Sequence, residues 1–330
     1  MMKDAVLSEL RNADEYLSGQ ELSVRLGVSR TAVWKAVEKL RREGYTIRSA
    51  PNRGYRLEKT ALPLCREEIL ARLPEDFPWQ DRILCLDSVD STNTRLKAMA
   101  AQGAPHGSAV IAEQQTSGRG RRGRSFSSPP GMGVYLSVLL RPNCRPEELM
   151  HLTCAAAVAV CNAIASVTGL QPGIKWTNDI VLNGKKLVGI LTELSLEAES
   201  GCVEYAVIGA GINCCQQKSD FPEEIQDIAT SLRLAVGKPI DRNAVAAAML
   251  RAMAEMEQHL LTGQAAILAD YRQRCITLGK EIALLRGEER RYGTALDVDT
   301  QGALLVAFAD GHIETVNSGE VSVRGMYGYV

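Results

Sequence analysis

Apolar residues in the first sixty positions recur three and four residues apart, which is the spacing of one face of an α-helix. This pattern predicts helices at residues 2–12, 20–26 and 30–43. Ser29 follows a glycine turn and is placed to cap the third helix. A strand that starts near residue 44 comes next, and then a hairpin over residues 50–57 with Asn52-Arg53-Gly54 at its tip. Three helices followed by a hairpin predict a winged helix-turn-helix.

The same sixty residues carry an excess of positive charge. They hold twelve Lys or Arg against eight Asp or Glu, whereas the whole chain has a net charge of −1. Arg30, Thr31 and Lys35 lie outside the apolar stripe at the start of the third helix, where a helix-turn-helix presents side chains to base edges. Together with Ser29 at the helix cap and Arg53 at the hairpin tip, they form the predicted DNA-binding set. A small helical protein-interaction module is the alternative.

After residue 63 the pattern changes to apolar runs of strand length that alternate with helical ones. Strands are predicted at residues 83–86, 109–112, 134–140, 180–182, 187–193 and 205–208, and helices at 95–100, 147–168, 241–262 and 264–275. The last strand is expected to end at Gly209-Ala210-Gly211-Ile212-Asn213, whose glycines allow close approach to a bulky group. A central mixed α/β domain is therefore predicted.

The chain from residue 276 onward is rich in strands, with turns at Gly287, at residues 300–302 and at Asp310-Gly311. This spacing predicts a small β-barrel. The whole is an α+β multidomain chain with domains at residues 1–60, 64–275 and 276–330, and a short linker lies between the first two. The last domain is either purely stabilising or contributes to ligand binding.

Composition narrows the class of protein. The chain is 45% apolar and 23% charged, as in ordinary globular proteins, and no apolar run approaches the ~20 residues that span a bilayer. Its nine cysteines include no C-x-x-C pair and its four histidines lie far apart, which predicts reduced thiols and no zinc site. The G-x-G at residue 209 lacks a third glycine and a following helix, so it is not a dinucleotide motif. We predict a cytoplasmic protein with no membrane partner and no tightly bound redox cofactor.

One segment has a composition that neither a helix nor a central strand favours. Residues 118–124 read G-R-G-R-R-G-R, with three glycines and four arginines. Glycines let the backbone approach a ligand closely, and guanidinium groups suit carboxylate or phosphate oxygens. Taken alone, however, the segment is more typical of a solvated basic loop, or of an Arg-Gly segment that touches nucleic acid, than of a loop that binds a small ligand.

The order of several motifs is more specific than any one of them. S-T-N at residues 91–93 is followed by the arginine loop, K-W-x-N-D from Lys175, G-K-K-L-x-G-I-L-x-E from Gly184 and G-A-G-I-N from Gly209. Behind a basic winged helix, this series resembles the bifunctional biotin–protein ligases that also repress biotin genes (BirA type). The resemblance covers essentially the whole chain. Two positions depart from the family pattern, because Phe126 stands where Trp is frequent and Thr177 where Pro is usual.

The resemblance implies a fold and an activity. The central domain would be of the class II synthetase-like type, and the last domain an SH3-like β-barrel. The chain would form biotinyl-5′-AMP from biotin and MgATP, and would then pass biotin to one lysine of the biotin carboxyl carrier domain of acetyl-CoA carboxylase. Adenylate binding would promote a homodimer that binds operator DNA.

The resemblance also implies roles for individual residues. The implied catalytic residues are Lys186, Arg121 and Arg119. The implied biotin contacts are Ser91, Thr92, Asn93, Gln115, Gly118, Arg119, Gly120, Arg121 and Lys186. The implied nucleotide contacts are Arg124, Phe126, Lys175, Asn178, Asp179 and Asn213, with Asp179 also implied as a Mg²⁺ ligand.

Two other functions remain open at this point. One is a biotin-sensing repressor with no catalytic activity, although the retained Lys186 and the intact arginine loop disfavour it. The other is a ligase for lipoate or another carboxylate that shares the fold. The order of S-T-N and the arginine loop disfavours that alternative.

Overall fold

A computed structural model describes residues 2–58, 62–286, 289–317 and 322–325. The chain divides into two compact units, Met1–Glu68 and Ile69–Val330. The division falls within a short helix, α4 (Arg66–Leu70), the fourth helix along the described chain.

The first unit is a winged helix-turn-helix, as the sequence predicts. Its helices are α1 (Met2–Asn12), α2 (Gly19–Leu26) and α3 (Arg30–Arg42), and its two antiparallel strands are β1 (Ile47–Ala50) and β2 (Gly54–Leu57). Ser18 and Glu21 form a reciprocal capping box at the start of α2. The Ser29 side chain accepts a hydrogen bond from the backbone N–H of Ala32, so the predicted cap of α3 is present.

Apolar residues from all three helices and both strands fill the core of this unit. Leu62, which the sequence assigns to the linker, is also buried in that core, while Thr60 and Ala61 lie outside the described residues. The Arg11 guanidinium pairs with the fully buried Glu68 carboxylate at 2.5 Å. Residues 62–68 therefore pack with the winged helix and do not form an extended tether.

The second unit is built on a seven-stranded mixed sheet. In chain order its strands are β3 (Ile83–Leu86), β4 (Ala109–Ala112), β5 (Gly133–Leu140), β6 (Gly173–Lys175), β7 (Asp179–Leu182), β8 (Lys185–Leu196) and β9 (Val203–Asn213). Their order across the sheet is β3-β4-β5-β9-β8-β7-β6. Only β3 and β4 run parallel, and the other neighbours are antiparallel.

Five helices accompany this sheet: α5 (Thr92–Ala101), α6 (Leu152–Thr168), α7 (Leu232–Val236), α8 (Arg242–His259) and α9 (Gln264–Arg274). α5 packs on β4, β5 and β9, whereas α6 contacts β7 and β8 and also packs on α8. In the part of the chain that is described, the stretch Pro146–Thr168 is long and apolar enough to cross a membrane. Because 67% of its apolar window is buried within the fold, it is a core helix.

One sequence prediction about this sheet is wrong. The strand expected to end before Gly209 continues through Gly209-Ala210-Gly211-Ile212 to Asn213. Glycine is disfavoured inside a strand, but here the missing Cβ atoms make room for side chains packed on the sheet. A Cβ on Gly209 would lie 2.1 Å from Asn93 Oδ1, and one on Gly211 would lie 2.5 Å from the Phe126 ring.

The last part of the chain forms a five-stranded antiparallel sheet. Its strands are β10 (Glu281–Arg286), β11 (Glu289–Val298), β12 (Leu304–Ala307), β13 (Ile313–Val316) and β14 (Ser322–Gly325), in the order β13-β12-β11-β10-β14. The predicted turn at Gly287 lies outside the described residues, and closure into an SH3-like barrel stays a prediction. Trp176 ties this sheet to the central one, because its indole N–H donates to Gly302 O at 3.0 Å.

Candidate active site

A cavity of about 510 Å³ opens over β8 and β9, beneath the arginine loop. Its lining brings together thirteen of the residues assigned from the sequence: Ser91, Thr92, Asn93, Gln115, Arg119, Gly120, Arg121, Arg124, Phe126, Lys175, Asn178, Asp179 and Lys186. These residues come from the N-terminal end of α5 and its cap, from the segment between β4 and β5, from β6, β7 and β8, and from the connection between β6 and β7. A polar site is therefore assembled from segments that are distant in sequence.

The arginine loop is a compact hairpin. The backbone N–H of Phe126 donates to Gly118 O at 2.8 Å, and that of Gly120 donates to Arg124 O at 2.7 Å. At the tip Arg122 has φ 57° and Gly123 has φ 73°, so both residues take the left-handed conformation. Gly118 leaves no room for a side chain, since a Cβ there would lie 2.3 Å from Phe126 O. Glycine therefore sets both the tight turn and the tight base of the hairpin.

Positive charge dominates the lining of the cavity. Six of the described lining residues are Lys or Arg, and Asp179 is the single acidic one among them. Lys186 Nζ lies 2.7 Å from Asp179 Oδ1, and the Arg121 guanidinium donates to Asn178 Oδ1 at 3.0 Å. Burial lowers the pKa of Arg121, although the Asp179 carboxylate acts in the opposite direction. An anionic ligand would compensate for the lost hydration of these cations.

Hydroxyl and amide groups occupy the cavity wall at the start of α5. The Ser91 side chain caps this helix, while the backbone N–H of Thr92 donates to Gln115 Oε1 at 2.9 Å. Gln115 in turn donates to Ser128 Oγ at 2.8 Å. Ser137 Oγ, which is fully buried on β5, lies 2.7 Å from Thr92 Oγ1. These contacts hold the S-T-N segment and Gln115 in one fixed arrangement.

Asn93 is more deeply embedded than a surface ligand-binding amide. Its Nδ2 donates to Glu193 Oε2 at 2.9 Å and to Leu191 O at 3.2 Å, while its Oδ1 lies 2.6 Å from Ser137 Oγ. Both the NH₂ group and the oxygen of its amide therefore already have hydrogen-bond partners in the protein. Asn93 therefore shapes the wall of the cavity and orients its neighbours.

Phe126 lies across two glycines that face each other on paired strands. Gly189 on β8 pairs with Gly211 on β9, and the Phe126 ring packs over both positions. Cβ atoms at these positions would lie 3.2 Å and 2.5 Å from the ring. Because neither glycine has a side chain, the two positions together leave a shallow depression in the middle of the sheet that accommodates one aromatic ring.

Two of the assigned residues lie outside the cavity lining. Gly118 forms the base of the hairpin, as described above. Asn213 is buried, donates to Thr230 O at 3.1 Å and accepts from Gln216 Nε2 at 3.1 Å. Thr230 N in turn donates to Lys186 O at 2.8 Å. Asn213 thus supports the segment that holds the Lys186 backbone in place.

Asp179 is the carboxylate that could hold a magnesium ion here. Among the residues with described positions, no three His, Cys, Asp or Glu side chains come close enough to form a dedicated metal site. Mg²⁺ is often held by one or two carboxylates together with substrate phosphates and water. A single carboxylate at the edge of a cationic cavity fits that mode of binding.

Sequence reasoning missed Ser137 and Glu193 at this site. Ser137 is one hydroxyl inside an otherwise apolar strand, and Glu193 was noted only as the last letter of a motif. Lys97 Nζ lies 2.6 Å from Glu193 Oε1, and Arg119 Nη1 lies 3.3 Å from the same oxygen. Burial acts to raise the pKa of Glu193, but hydrogen bonds from Lys97 and Asn93 and the charge of Arg119 hold it below its usual range.

The winged helix presents the predicted DNA-binding residues on its surface. Ser29, Arg30, Thr31 and Lys35 are exposed at the start of α3, and Arg53 is exposed at the hairpin tip. The Arg53 guanidinium lies 4.7 Å from the centre of the Tyr16 ring. Trp34 was not predicted, yet it is 52% exposed on the same outer side of α3.

Three family models match the chain. Residues 3–56 match an HTH domain, residues 85–213 match the biotin/lipoate A/B protein ligase family, and residues 277–324 match the biotin protein ligase C-terminal domain. The class is therefore that of a protein ligase preceded by a helix-turn-helix domain.

Individual relatives agree over nearly the full length. The chain is 38% identical to the bifunctional ligase/repressor BirA of Bacillus spizizenii over 98% of both chains. It is 32% identical to that of Escherichia coli over 94% of both. A biotin protein ligase from Aquifex aeolicus, solved with biotin and ATP, superposes with a TM-score of 0.63 at 32% identity, covering 74% of this chain and 99% of that one. The chain belongs to the family of bifunctional biotin ligase/repressor proteins.

Proposed function

We propose that this chain is a biotin–[acetyl-CoA-carboxylase] ligase that also acts as a repressor of biotin synthesis genes. One observation carries the catalytic part: a hairpin of arginines closes over a cavity that holds Lys186, and a fixed network of hydroxyl and amide groups forms part of the same cavity wall. Such a cavity suits a substrate with a polar uncharged ring at one end and a carboxylate at the other. Biotin has that form.

In the first half-reaction the biotin carboxylate attacks the α-phosphorus of ATP, and pyrophosphate leaves. Two anions must approach each other, so the site has to supply positive charge at the point of attack. Lys186, Arg119 and Arg121 are assigned to the carboxylate and the α-phosphate. Lys186 is already poised beside Asp179, and its backbone is held by hydrogen bonds with Ile228 and Thr230. The product is biotinyl-5′-AMP.

In the second half-reaction the amine of a carrier lysine attacks the biotinyl carbonyl. The carbon–oxygen bond to AMP breaks, the amine loses a proton, and an amide forms. The same cations stabilise the negative charge on departing AMP. The hairpin covers the mixed anhydride between the two steps and excludes the water that would hydrolyse it. The carrier is the biotin carboxyl carrier domain of acetyl-CoA carboxylase.

The nucleotide is assigned to the Phe126 end of the cavity. Phe126 offers an aromatic face for the adenine ring, and Arg124, Lys175 and Asn178 lie nearby for phosphate and ribose oxygens. Asp179 would hold Mg²⁺ together with ATP phosphates, and the ion would screen the charge of the phosphate oxygens. Asn213 acts through the segment that supports Lys186. With these assignments, biotin and the nucleotide together occupy the cavity from the S-T-N wall to β6.

Repression is assigned to the first unit. The exposed residues at the start of α3 and the hairpin tip fit the major groove and the adjacent backbone of operator DNA. Adenylate binding promotes a homodimer whose two winged helices span operator half-sites. We place the protein in the cytoplasm, where ATP, carrier and DNA are all accessible.

The test is transfer to the carrier. Purified chain, biotin, ATP and magnesium are incubated with the carrier domain, and the mass of the carrier is followed. A gain of one biotinyl group, with none when the target lysine of the carrier is replaced by Arg, is expected. An unmodified carrier together with intact biotin binding would favour a sensing repressor. Modification by lipoate and not by biotin would keep the mechanism and change the substrate.

A further inference from the structure

Glu193 joins three elements of the active site through one carboxylate. It lies on β8, and it contacts Asn93 and Lys97 from α5 as well as Arg119 from the arginine hairpin. Its side chain is 20% exposed, so these contacts lie at the edge of the cavity, partly shielded from water. Among the described residues, no other single side chain contacts both α5 and an arginine of the hairpin.

The three contacts differ in strength. Lys97 Nζ is 2.6 Å from Oε1 and Asn93 Nδ2 is 2.9 Å from Oε2, whereas Arg119 Nη1 is 3.3 Å from Oε1. Lys97 and Arg119 share that oxygen, and the Arg119 side chain is 48% exposed. A long ion pair at this exposure, sharing its acceptor with a closer ammonium, is weak. Arg119 is therefore oriented by Glu193 and can still turn to a ligand anion.

The contact with Asn93 is firmer. Asn93 is 3% exposed and packs directly on Gly209, so its side chain cannot move away without disturbing the sheet. Glu193 and the Leu191 carbonyl together fix which way the amide faces, because both accept hydrogen bonds only from its NH₂ group. That orientation directs Oδ1 toward Ser137, which also contacts Thr92. Glu193, as the closer of the two acceptors, therefore helps to set the hydrogen-bond direction from Asn93 to Ser137 and Thr92.

We infer that Glu193 is a positioning residue for biotin: it orients the S-T-N wall through Asn93 and holds Arg119 ready for the biotin carboxylate. This rests on the proposed ligase function and deepens it. The nucleotide end of the cavity, around Phe126 and Lys175, makes no contact with Glu193 among the described residues. Loss of the carboxylate should therefore weaken the binding of biotin and leave the binding of ATP largely unchanged.

The test is Glu193→Gln, which keeps the size of the side chain and removes its charge. We expect KM for biotin to rise by about tenfold, the change that one lost charged hydrogen bond produces. KM for ATP should stay within about twofold, which is less than the effect of one neutral hydrogen bond. Glu204→Gln is the matched control, because Glu204 is an exposed glutamate on the neighbouring strand β9 whose carboxylate accepts a hydrogen bond from Ser195 and does not line the cavity.

Lys97→Met provides a second measurement that does not depend on changing Glu193. It removes the competing ammonium and leaves the carboxylate free to hold Asn93 and Arg119. Its KM for biotin should rise less than that of Glu193→Gln. Three results would overturn the inference. KM for biotin could be the same in the parent and in Glu193→Gln, or KM could rise equally for biotin and for ATP in Glu193→Gln. The third is a larger rise of KM for biotin in Lys97→Met than in Glu193→Gln. Failure of the ligase proposal is distinct, because the parent itself would then show no biotin-dependent activity.

Discussion

Phe126 and Gly211 are packed so closely that a single added methyl group would not fit between them. A Cβ on Gly211 would lie 2.5 Å from the Phe126 ring, and non-bonded carbon atoms do not come that close, so one of the two would have to shift. The end of the arginine hairpin and the C-terminal part of β9 therefore fit closely against each other. A glycine in the interior of a strand, which weakens the strand by itself, serves the placement of an aromatic ring.

Gly211→Ala should displace Phe126 and weaken ATP binding. If the ring stacks on adenine, KM for ATP should rise by about tenfold, in the range found when base stacking is lost. KM for biotin should change less, since the S-T-N wall packs on Gly209 and not on Gly211. Gly19→Ala is a suitable control, because its Cβ would make only an ordinary contact at 3.6 Å with Tyr55. An unchanged KM for ATP would remove Phe126 from the nucleotide site.

Arg121→Gly should keep adenylate synthesis and lose retention of the adenylate. Arg121 is held against Asn178 over the cavity, so its loss opens the hairpin and removes a cation that the intermediate needs. Release of radiolabelled adenylate on a desalting column measures this directly. Arg122→Gly is the matched comparison at the neighbouring arginine, which also lines the cavity and whose φ of 57° glycine accepts without strain; it should release the adenylate more slowly than Arg121→Gly. Retention as long in Arg121→Gly as in the parent would contradict this role.

Trp34→Ala should weaken DNA binding and leave ligase activity intact. The side chain is 52% exposed beside Lys35 on α3, where an aromatic ring has no packing reason to be. Apolar contact with a thymine methyl group is one recognised form of base readout, and its loss costs about tenfold in affinity. The probe is a duplex that the parent protein selects from a random-sequence library, and binding is followed by fluorescence anisotropy. Equal affinity of parent and variant would place Trp34 outside the interface.

His151 should make the second unit less stable in mild acid. It is 1% exposed, its Nε2 lies 2.9 Å from Leu260 O, and burial lowers its pKa. Because the unfolded chain then binds the proton more readily, stability falls as pH drops through the ordinary histidine pKa of about 6.5. In His151→Gln the decrease in Tm between about pH 7 and pH 5.5 should be smaller. His259 is exposed, so the Tm of His259→Gln should decrease with pH as the Tm of the parent does. An equal decrease in Tm in all three proteins would exclude His151 as the cause.

Much of the fold follows from local pattern. The spacing of apolar residues located the three helices of the first unit to within about a residue or two, as expected where caps are clear. Ser29 caps α3, and the strands predicted at residues 180–182 and 187–193 are present and are joined by a turn at Asn183-Gly184, with φ values of 50° and 75°. These features depend on neighbours in sequence, so the sequence alone was sufficient to predict them.

The parts that were missed depend on contacts between distant segments. Ser137 belongs to the site because α5 lies over β5, and nothing within V-Y-L-S-V-L-L distinguishes it from a tolerated polar residue. Glu193 matters because Lys97 and Arg119 reach it from positions 96 and 74 residues away. The extent of β9 was misjudged for the same reason, since only Asn93 and Phe126 explain why its glycines are there.

The most direct test of the central claim is biotin-dependent exchange of labelled pyrophosphate into ATP. The account predicts exchange with biotin and none with octanoate or lipoate. It also predicts that exchange is lost in Lys186→Met and kept in Lys185→Met, because Lys186 lines the cavity and the neighbouring lysine does not. Exchange that depends on lipoate or octanoate instead of biotin, or that survives in Lys186→Met, would contradict it.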